Sequence, residues 1–279
     1  MPKTLNIIGC GNVGKVLGRL WTEQGVFQVQ DILNRTPESA DAAAAFVGAG
    51  RPLADYADMR PADVFLIGTP DHQIAACSAR ITETAVLRAG SIVFHCSGAL
   101  PSSVLAPAVR NGALAASIHP IKSFADPGQV VRSFAGTFCG VEGDSRALDT
   151  LAPAFAAIGA RTVTIDPEFK SVYHAAAVFS SNYLVTLLDT AAAAYEKAGI
   201  PRDIALQLME PLVRGTVENV FRLGPTDALT GPIARGDVAT VVRQYKAVDA
   251  WDRRYGKLYK LMGKLTALIA ARKKKKQNT

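Results

Sequence analysis

A glycine-rich loop near the start of the chain has the spacing of a phosphate-binding turn. Residues 9–14 read GCGNVG, which fits GxGxxG, and they lie between an apolar run and a helical pattern. Gly9 permits a tight turn, Gly11 lets the backbone approach a pyrophosphate, and Gly14 lets helix and strand pack closely. Phosphates bind free N–H groups at such a helix start. We therefore assign Gly9, Gly11, Asn12, Val13 and Gly14 to a dinucleotide cofactor.

The residues after the second predicted strand indicate which dinucleotide binds. An NAD-dependent protein usually places Asp or Glu about 20 residues past the loop, where it holds the ribose 2′-hydroxyl. This chain has Asn34, Arg35 and Thr36 there, and Asp31 falls earlier, within the strand. A guanidinium can clamp a 2′-phosphate that a carboxylate would repel. The pattern favours NADP over NAD, with Arg35 as the discriminating residue unless it is only a solvated loop residue.

Three polar residues in an apolar, alanine-rich segment are candidates for the chemistry. Lys170, His174 and Asn182 have offsets of four and eight, so one helix would place them on one face. An imidazole is well suited to deliver a proton when hydride reaches a carbonyl or imine carbon. His174 is the first candidate for this donor and Lys170 the second, with Asn182 contacting the substrate. The alternative is a structural hydrogen-bond network.

A second polar string lies between turn residues near the C-terminus. Residues 230–237 read TGPIARGD, and the Gly-Pro pair predicts that Arg235 is presented on a loop or helix start. Arg235 could bind a substrate carboxylate through two hydrogen bonds. A structural pair between Arg235 and Asp237 is the alternative.

Short apolar runs alternate with helical patterns over the first 165 residues, which predicts a parallel sheet. The predicted strands are Leu5–Ile8, Val29–Leu33, Val64–Ile67, Ser91–His95, Ala115–Ile118, Thr137–Val141 and Arg161–Ile165. From Phe169 onward the pattern is helical, and Phe169–Lys197 reads as one long helix. We predict an α/β fold: a Rossmann domain with a doubly wound sheet over 1–166, an all-α domain over 167–271, and a basic disordered tail over 272–279.

Composition narrows the class of protein. Of 279 residues, 49% are apolar and 20% charged, which is typical of a globular protein. The net charge is +7, and Arg272 with Lys273–Lys276 supplies five of those charges, so we expect no nucleic-acid partner. No secretion signal or apolar run of about 18 residues appears, so we expect a cytoplasmic protein without a membrane partner. Four cysteines without paired spacing predict reduced thiols and no metal.

Six strings together carry a family resemblance over nearly the whole chain. They are GCGNVG, IGTPD at 67–71, HCSGALPS at 95–102, HPIKSF at 119–124, YHAAAVFSSNY at 173–183 and ALTGPIARGD at 228–237. The chain resembles the β-hydroxyacid and 6-phosphogluconate dehydrogenase superfamily, and more narrowly its Rossmann-like members with a C-terminal domain of unknown function. The resemblance implies an NADP oxidoreductase that forms a homodimer through its helical domain.

The resemblance also assigns individual residues. Thr69 and Pro70 resemble the loop beside the cofactor, and Ser97 and Gly98 resemble the loop that meets nicotinamide and substrate. Lys170 matches the lysine that hydroxyacid dehydrogenases use as general acid and base. Those enzymes carry Asn one turn later, where this chain has His174, so ordinary hydroxyacid chemistry is in doubt. The segment containing His119, Lys122 and Ser123 occupies the place of the substrate-binding loop.

Two functions are the main candidates, ahead of hydride exchange with a deazaflavin coenzyme, which related enzymes with the same first domain carry out. The first is an NADP-dependent dehydrogenase or reductase acting on a small, carboxylate-bearing carbonyl, hydroxy or imine substrate between the domains. The second is a sensor or scaffold that binds NADP without catalysis. Turnover of a candidate substrate separates the two.

Overall fold

A computed structural model describes residues 1–277 of the chain. The elements fall into two compact units, residues 1–180 and the described residues from 181 to 277. The predicted domain division after residue 166 therefore comes 14 residues earlier in the chain than the observed division after residue 180.

An eight-stranded sheet organises the first unit. Its strands are β1 (Lys3–Ile8), β2 (Phe27–Leu33), β3 (Arg51–Leu53), β4 (Val64–Ile67), β5 (Ile92–His95), β6 (Leu114–Pro120), β7 (Phe138–Gly143) and β8 (Arg161–Thr164). The order is β3-β2-β1-β4-β5-β6-β7-β8, and every neighbouring pair is parallel except the antiparallel pair of β6 and β7. All seven predicted strands are confirmed. The three-residue β3 was not predicted, because its short Arg-Pro-Leu sequence lacks an apolar run.

Helices connect these strands on both faces of the sheet. They are α1 (Asn12–Glu23), α2 (Pro37–Val47), α3 (Asp71–Glu83), α4 (Ala106–Arg110), α5 (Pro127–Arg132) and α6 (Ser145–Ala157), and a further helix, α7 (Lys170–Ser180), follows β8. Consecutive strand residues point to opposite faces, so Leu66 joins one buried cluster while Phe65 and Ile67 join another. The strand order and the two covered faces are those of a Rossmann fold, as predicted.

An aromatic group fixes α1 against the sheet. The Trp21 ring meets Phe27 and Phe155 edge-on at centroid distances of 5.2 Å, and its indole N–H donates to the carbonyl oxygen of Ala154 at 3.0 Å. Buried aromatic pairs and a satisfied indole donor stabilise one arrangement of helix and strand. The N-terminus of α1 is thereby held at the end of β1.

Asp31 is a structural residue within β2. Its buried carboxylate accepts hydrogen bonds from the guanidinium groups of Arg60 at 2.6 Å and Arg51 at 3.2 Å. Burial alone would raise the pKa of this carboxyl, but the hydrogen bonds from Arg60 and Arg51 outweigh it and hold the pKa below its ordinary value. The prediction that Asp31 lies within the strand is confirmed.

The prediction of one long helix over Phe169–Lys197 is wrong, because the chain leaves the helical conformation at Ser181. That residue has φ −124° and ψ −72°, and a new helix, α8 (Asn182–Lys197), follows. The preceding Ser180 hydroxyl donates to the carbonyl oxygen of Ala176 at 2.9 Å. Serine and asparagine compete for backbone hydrogen bonds in this way and favour helix ends. Asn182 therefore does not continue the helix of Lys170 and His174, and the offset argument does not apply to it.

The second unit is helical. It comprises α8, α9 (Arg202–Leu223), α10 (Pro225–Ala228), α11 (Pro232–Arg235), α12 (Val238–Trp251) and α13 (Arg253–Gln277). The basic segment predicted to be disordered is helical over 272–277, because it continues α13 with residues of good helix propensity. Positions 278–279 of that predicted tail lie outside the described residues. Within residues 1–277, no helix has the length and apolar character needed to span a membrane.

Candidate functional site

The glycine loop forms the floor of a cleft at the carboxyl ends of β1, β2 and β4. The cleft has a volume of about 860 Å³, and Gly9, Gly11 and Thr69 are among its lining residues. Gly9 has φ +77°, and a Cβ there would clash with the Thr69 backbone, its nitrogen standing 2.8 Å away. Only glycine fits this turn. Cβ space at Gly11 is open, with no described atom within 4 Å.

The helix start behind this loop is free to bind an anion. Gly11 precedes α1, and no described side chain caps the helix N-terminus. A Cβ on the buried Gly14 would lie 3.3 Å from the Cys10 sulfur, so glycine allows the close packing of α1. The Asn12 side chain donates to the carbonyl oxygen of Phe124 at 2.8 Å, which leaves the backbone of residues 12 and 13 for a ligand. Uncapped N–H groups at a helix start bind phosphate.

Of the three residues predicted in the loop after β2, two make hydrogen bonds that hold the loop and one is free to bind a ligand. The Asn34 side chain accepts from the Cys10 N–H at 2.6 Å and donates to the Ser39 carbonyl at 2.8 Å, so it ties two loops together. The Thr36 hydroxyl accepts from the Ser39 N–H at 3.3 Å and caps α2. Arg35 is exposed, lines the cleft, and has no hydrogen bond or ion pair with any residue that the structure describes. It is the one side chain of the three that is unengaged.

The lining of this cleft fits a dinucleotide. Thr69 and Pro70 line it, and the buried Thr69 hydroxyl oxygen has no hydrogen-bond partner among residues 1–277. Buried polar atoms usually have a partner, so this oxygen is a candidate contact for a bound molecule. A cleft of this volume falls within the range of small-molecule sites, which is roughly 300–1,000 Å³.

Two imidazole rings pack against Gly98, at the end of β5. The ring centroids of His119 and His174 lie 5.5 Å apart. A Cβ on Gly98 would overlap Nδ1 of His174 and lie 2.8 Å from Nε2 of His119, so any side chain there would displace both rings. Nδ1 of His174 is buried and has no partner among the described residues.

Tyr173 holds the first of these rings. Its hydroxyl and Nδ1 of His119 share a hydrogen bond of 2.9 Å. Burial, together with the nearby His174 and the charge of Lys170, lowers the pKa of His119 to about 4. Burial raises the pKa of Tyr173 to about 12. Both groups are therefore neutral near pH 7, and Nε2 of His119 is left without a described partner.

Lys170 is engaged in a buried ion pair. Its ammonium donates to Oε1 of Glu142 at 2.7 Å and to the hydroxyl of Ser117, and it is 1% exposed. Burial lowers the pKa of Lys170, and the hydrogen bond and charge of Glu142 oppose that shift. The same carboxylate accepts from the backbone N–H of Ser102 at 2.8 Å and from its hydroxyl at 2.7 Å.

The loop of residues 95–102 is fixed by these and further hydrogen bonds. Its Ser97 hydroxyl donates to the Asp71 carboxylate at 2.8 Å, and the Ser97 N–H donates to Nδ1 of His95 at 3.1 Å. The other His95 nitrogen lies 3.3 Å from the Pro101 carbonyl oxygen. Burial and the charge of Lys170 lower the pKa of His95 to about 4, so the ring is neutral. Gly98 is thus held on a rigid loop.

The predicted substrate residues are distributed unevenly. The first unit brings Gly98, His119 and His174 together, with Ser97 engaged in the loop beneath them. Lys122 and Ser123 follow β6 on an accessible segment. Asn182 and Arg235 belong to the second unit. There, the Asp237 carboxylate caps α12 by accepting from the Thr240 N–H at 3.0 Å, and Arg235 makes no side-chain ion pair in the described chain.

Four residues that hydrogen-bond to predicted site residues were not themselves predicted: Glu142, Asp71, Tyr173 and Ser117. A carboxylate within an apolar strand such as β7 always needs a partner when buried, and this could have drawn attention to Glu142. All four cysteines are free thiols, as predicted, and burial raises the pKa of Cys139 to about 12. No group of three or more His, Cys, Asp or Glu side chains in the described chain could hold a metal ion.

Comparisons with known proteins agree with this architecture. A Rossmann-like domain family matches residues 3–120, and a domain of unknown function (DUF2520) matches residues 137–266. No curated protein matches the chain.

Several solved structures have the same fold. The protein TM1727 from Thermotoga maritima is 25% identical, with a TM-score of 0.77 over 97% of this chain and 99% of that one. A Bacteroides fragilis protein provisionally described as an NADP oxidoreductase is 24% identical, with a TM-score of 0.75 over 95% of this chain and 98% of that one. Pyrroline carboxylate reductase from Plasmodium falciparum, solved with NADP bound, is 13% identical, with a TM-score of 0.60 over 96% and 98%.

The buried ion pair yields a stability prediction. Replacing Lys170 with Met leaves the Glu142 carboxylate buried without its counter-charge, so we expect Lys170→Met to lower the free energy of unfolding by about 3–5 kcal/mol. The double variant Lys170→Met with Glu142→Gln should regain a large part of the lost free energy of unfolding, because it buries no unpaired charge. Urea denaturation measures both, with Lys122→Met as the matched control, expected within about 0.5 kcal/mol of the parent. Equal stabilities for Lys170→Met and Lys122→Met would contradict the structural importance of the pair.

Proposed function

We propose that this chain, a Rossmann-like protein with a C-terminal DUF2520 domain, is an NADP-dependent oxidoreductase acting on a small carbonyl, hydroxy or imine substrate. The observation that carries the proposal is the cleft over the glycine loop, with an uncapped helix start at its floor and Arg35 unpaired on its wall. Solved proteins of the same fold include reductases, one of them with NADP bound, which supports the class of reaction.

The roles of the cofactor-binding residues follow from the groups that are free. The N–H groups of residues 12 and 13 would hold the pyrophosphate, and the Thr69 hydroxyl, which has no described partner, would bind the adjoining ribose. Arg35 would bind the 2′-phosphate. Asn34 and Thr36 would act indirectly, because their side chains shape the loop that presents Arg35.

Bound in this cleft, a nicotinamide supplies or accepts the hydride. The protein must then deliver or remove a proton at the substrate oxygen or nitrogen, and we assign that step to Nε2 of His174. Its other ring nitrogen is buried against Gly98, so the ring is held in one orientation. We assign His119 and Gly98 to the substrate, as the chain's resemblance implied.

Lys170 fits a positioning role better than that of proton donor. Its ammonium is already hydrogen-bonded to Glu142 and Ser117 and is almost fully buried. Through Glu142 it fixes the loop that carries Gly98, and as the first residue of α7 it fixes the helix that carries His174. Contacts of Lys122, Ser123, Asn182 and Arg235 with the substrate stay predictions.

Cofactor preference tests the assignment of Arg35. Glu at position 35 would repel a 2′-phosphate, so Arg35→Glu should weaken NADPH binding by about a hundredfold or more and leave NADH binding within about threefold. Isothermal titration calorimetry with both nucleotides measures the effect. Arg132→Glu, an exposed arginine outside the cleft, is the control and should change neither affinity. If Arg35→Glu lowered the affinities for NADPH and NADH by the same factor, the assignment would be refuted.

Turnover tests the assignment of His174. The parent protein is first screened for NADPH oxidation with keto acids, aldehydes and cyclic imines, and any compound consumed becomes the assay substrate. Loss of the proton donor should reduce kcat in His174→Ala by about tenfold or more while NADPH affinity is kept. His72→Ala, an exposed histidine, is the control. An unchanged kcat in His174→Ala would exclude the role, and a parent that binds NADPH but consumes no compound would favour a sensor.

We also propose that a second copy of this chain covers α9. Its exposed large apolar residues lie on two sides of the helix: Ile204, Leu208, Leu212 and Leu223 on one, and Leu206, Val217 and Phe221 on the other. A helix that is apolar on several sides is normally buried. At 22 residues, α9 is about 33 Å long, which suits a protein interface.

Sedimentation velocity tests this assembly. The parent should sediment as a dimer at micromolar concentration, and the double variant Leu208→Glu with Leu212→Glu should sediment as a monomer, because two carboxylates would be buried without partners. Lys197→Glu makes a comparable change of charge at an exposed position of α8, outside α9, and should stay dimeric. A monomeric parent would overturn the proposal.

A further inference from the structure

One face of α3 also lines the cleft, and its residues were not among the sequence-predicted site residues. Gln73, Ala76, Cys77 and Arg80 all line the cleft, and their offsets of three, four and seven place them on one side of the helix. The loop of Arg35 forms part of the same cleft. Arg80 therefore belongs to the cavity that Arg35 lines, although the two residues are far apart in sequence.

An aromatic ring orients Arg80. The central carbon of its guanidinium lies 4.5 Å from the centroid of the Tyr56 ring, which is a cation–π contact. Tyr56 is itself half-buried and packs against the buried apolar cluster beneath α3. Stacking on a ring leaves the N–H groups at the edge of a guanidinium free to donate. The ring thus restricts Arg80 without using its hydrogen-bond donors.

The charges around the cleft are unbalanced. Its lining carries Lys15, Arg35 and Arg80 but, among the described acidic residues, only Asp55. One oxygen of that carboxylate accepts the Ala57 N–H at 3.0 Å. Arg80, like Arg35, has no hydrogen bond or ion pair with a described residue. Two guanidinium groups without counter-charges in one cleft are suited to a dianionic ligand group.

We propose that Arg80, oriented by Tyr56, is a second specificity-determining residue that binds the 2′-phosphate of NADP together with Arg35. This inference rests on the proposed cofactor. It implies that selectivity for NADP is divided between the β2–α2 loop and α3, two elements that approach each other only in the folded sheet. Tyr56 is the positioning residue, because it acts through the orientation of Arg80.

Calorimetric titration with four probes tests the proposal: NADPH, NADH, 2′,5′-ADP and 5′-AMP. Arg80→Met should weaken the binding of NADPH and of 2′,5′-ADP by about tenfold. It should change the affinities for NADH and 5′-AMP by less than about twofold. Arg80→Lys should give an intermediate loss, because an ammonium keeps the charge without the two-point geometry. Arg88→Met, an exposed arginine beyond the end of α3 and outside the cleft, should match the parent.

The positioning role of Tyr56 has its own readout. Tyr56→Phe keeps the ring and should retain the preference for NADPH over NADH, whereas Tyr56→Leu should reduce that preference several-fold. Circular dichroism confirms that each variant is folded before titration. If both tyrosine variants lost the preference for NADPH over NADH to the same extent, the hydroxyl and not the ring would matter, and this role would be overturned.

The outcomes separate this inference from the proposed function. If the parent protein gives no heat with either NADPH or NADH, the cofactor proposal itself fails. If the parent binds NADPH but Arg80→Met weakens all four probes equally, Arg80 contacts the shared adenosine and the proposed phosphate contact is wrong. Unchanged affinities in Arg80→Met would also overturn the proposal.

Discussion

The ion pair of Lys170 and Glu142 is the constraint on which the candidate site depends. It connects the start of α7, the strand β7 and the loop of residues 95–102 through one buried contact. A buried carboxylate and ammonium tolerate little displacement, because separation would leave each charge unpaired in an apolar surrounding. The loop presents Gly98 and the helix presents His174, so a single interaction fixes both sides of the imidazole site.

Two glycines near this ion pair and at the cleft leave room that a side chain would fill. Gly98 admits the rings of His119 and His174, and Gly9 admits the backbone of Thr69. Each glycine stands where a strand of the parallel sheet ends, which is where ligands bind in open α/β folds. The glycine loop and the imidazole pair are thus two parts of one sheet edge. This arrangement supports a dinucleotide whose reactive end approaches Gly98.

Much of this organisation could be predicted from the sequence, because it depends on local patterns. The seven predicted strands follow from apolar runs, and the turn at Gly9 follows from glycine spacing. The break at Ser181 was missed, because an alanine-rich apolar pattern outweighs a short Ser-Ser-Asn signal when only periodicity is considered. Glu142 and Arg80 were missed for another reason: each depends on contacts between segments distant in sequence, and no local pattern encodes those contacts.

The central claim is that a nicotinamide dinucleotide lies across the glycine loop, with its phosphorylated ribose toward Arg35 and its nicotinamide toward Gly98. A crystal structure of the full chain with NADPH tests this most directly. We expect the pyrophosphate on the N–H groups of residues 12 and 13, the 2′-phosphate against Arg35, and the nicotinamide beside Gly98 and His174. A nucleotide bound outside this cleft, or bound with its nicotinamide end away from Gly98, would contradict the account.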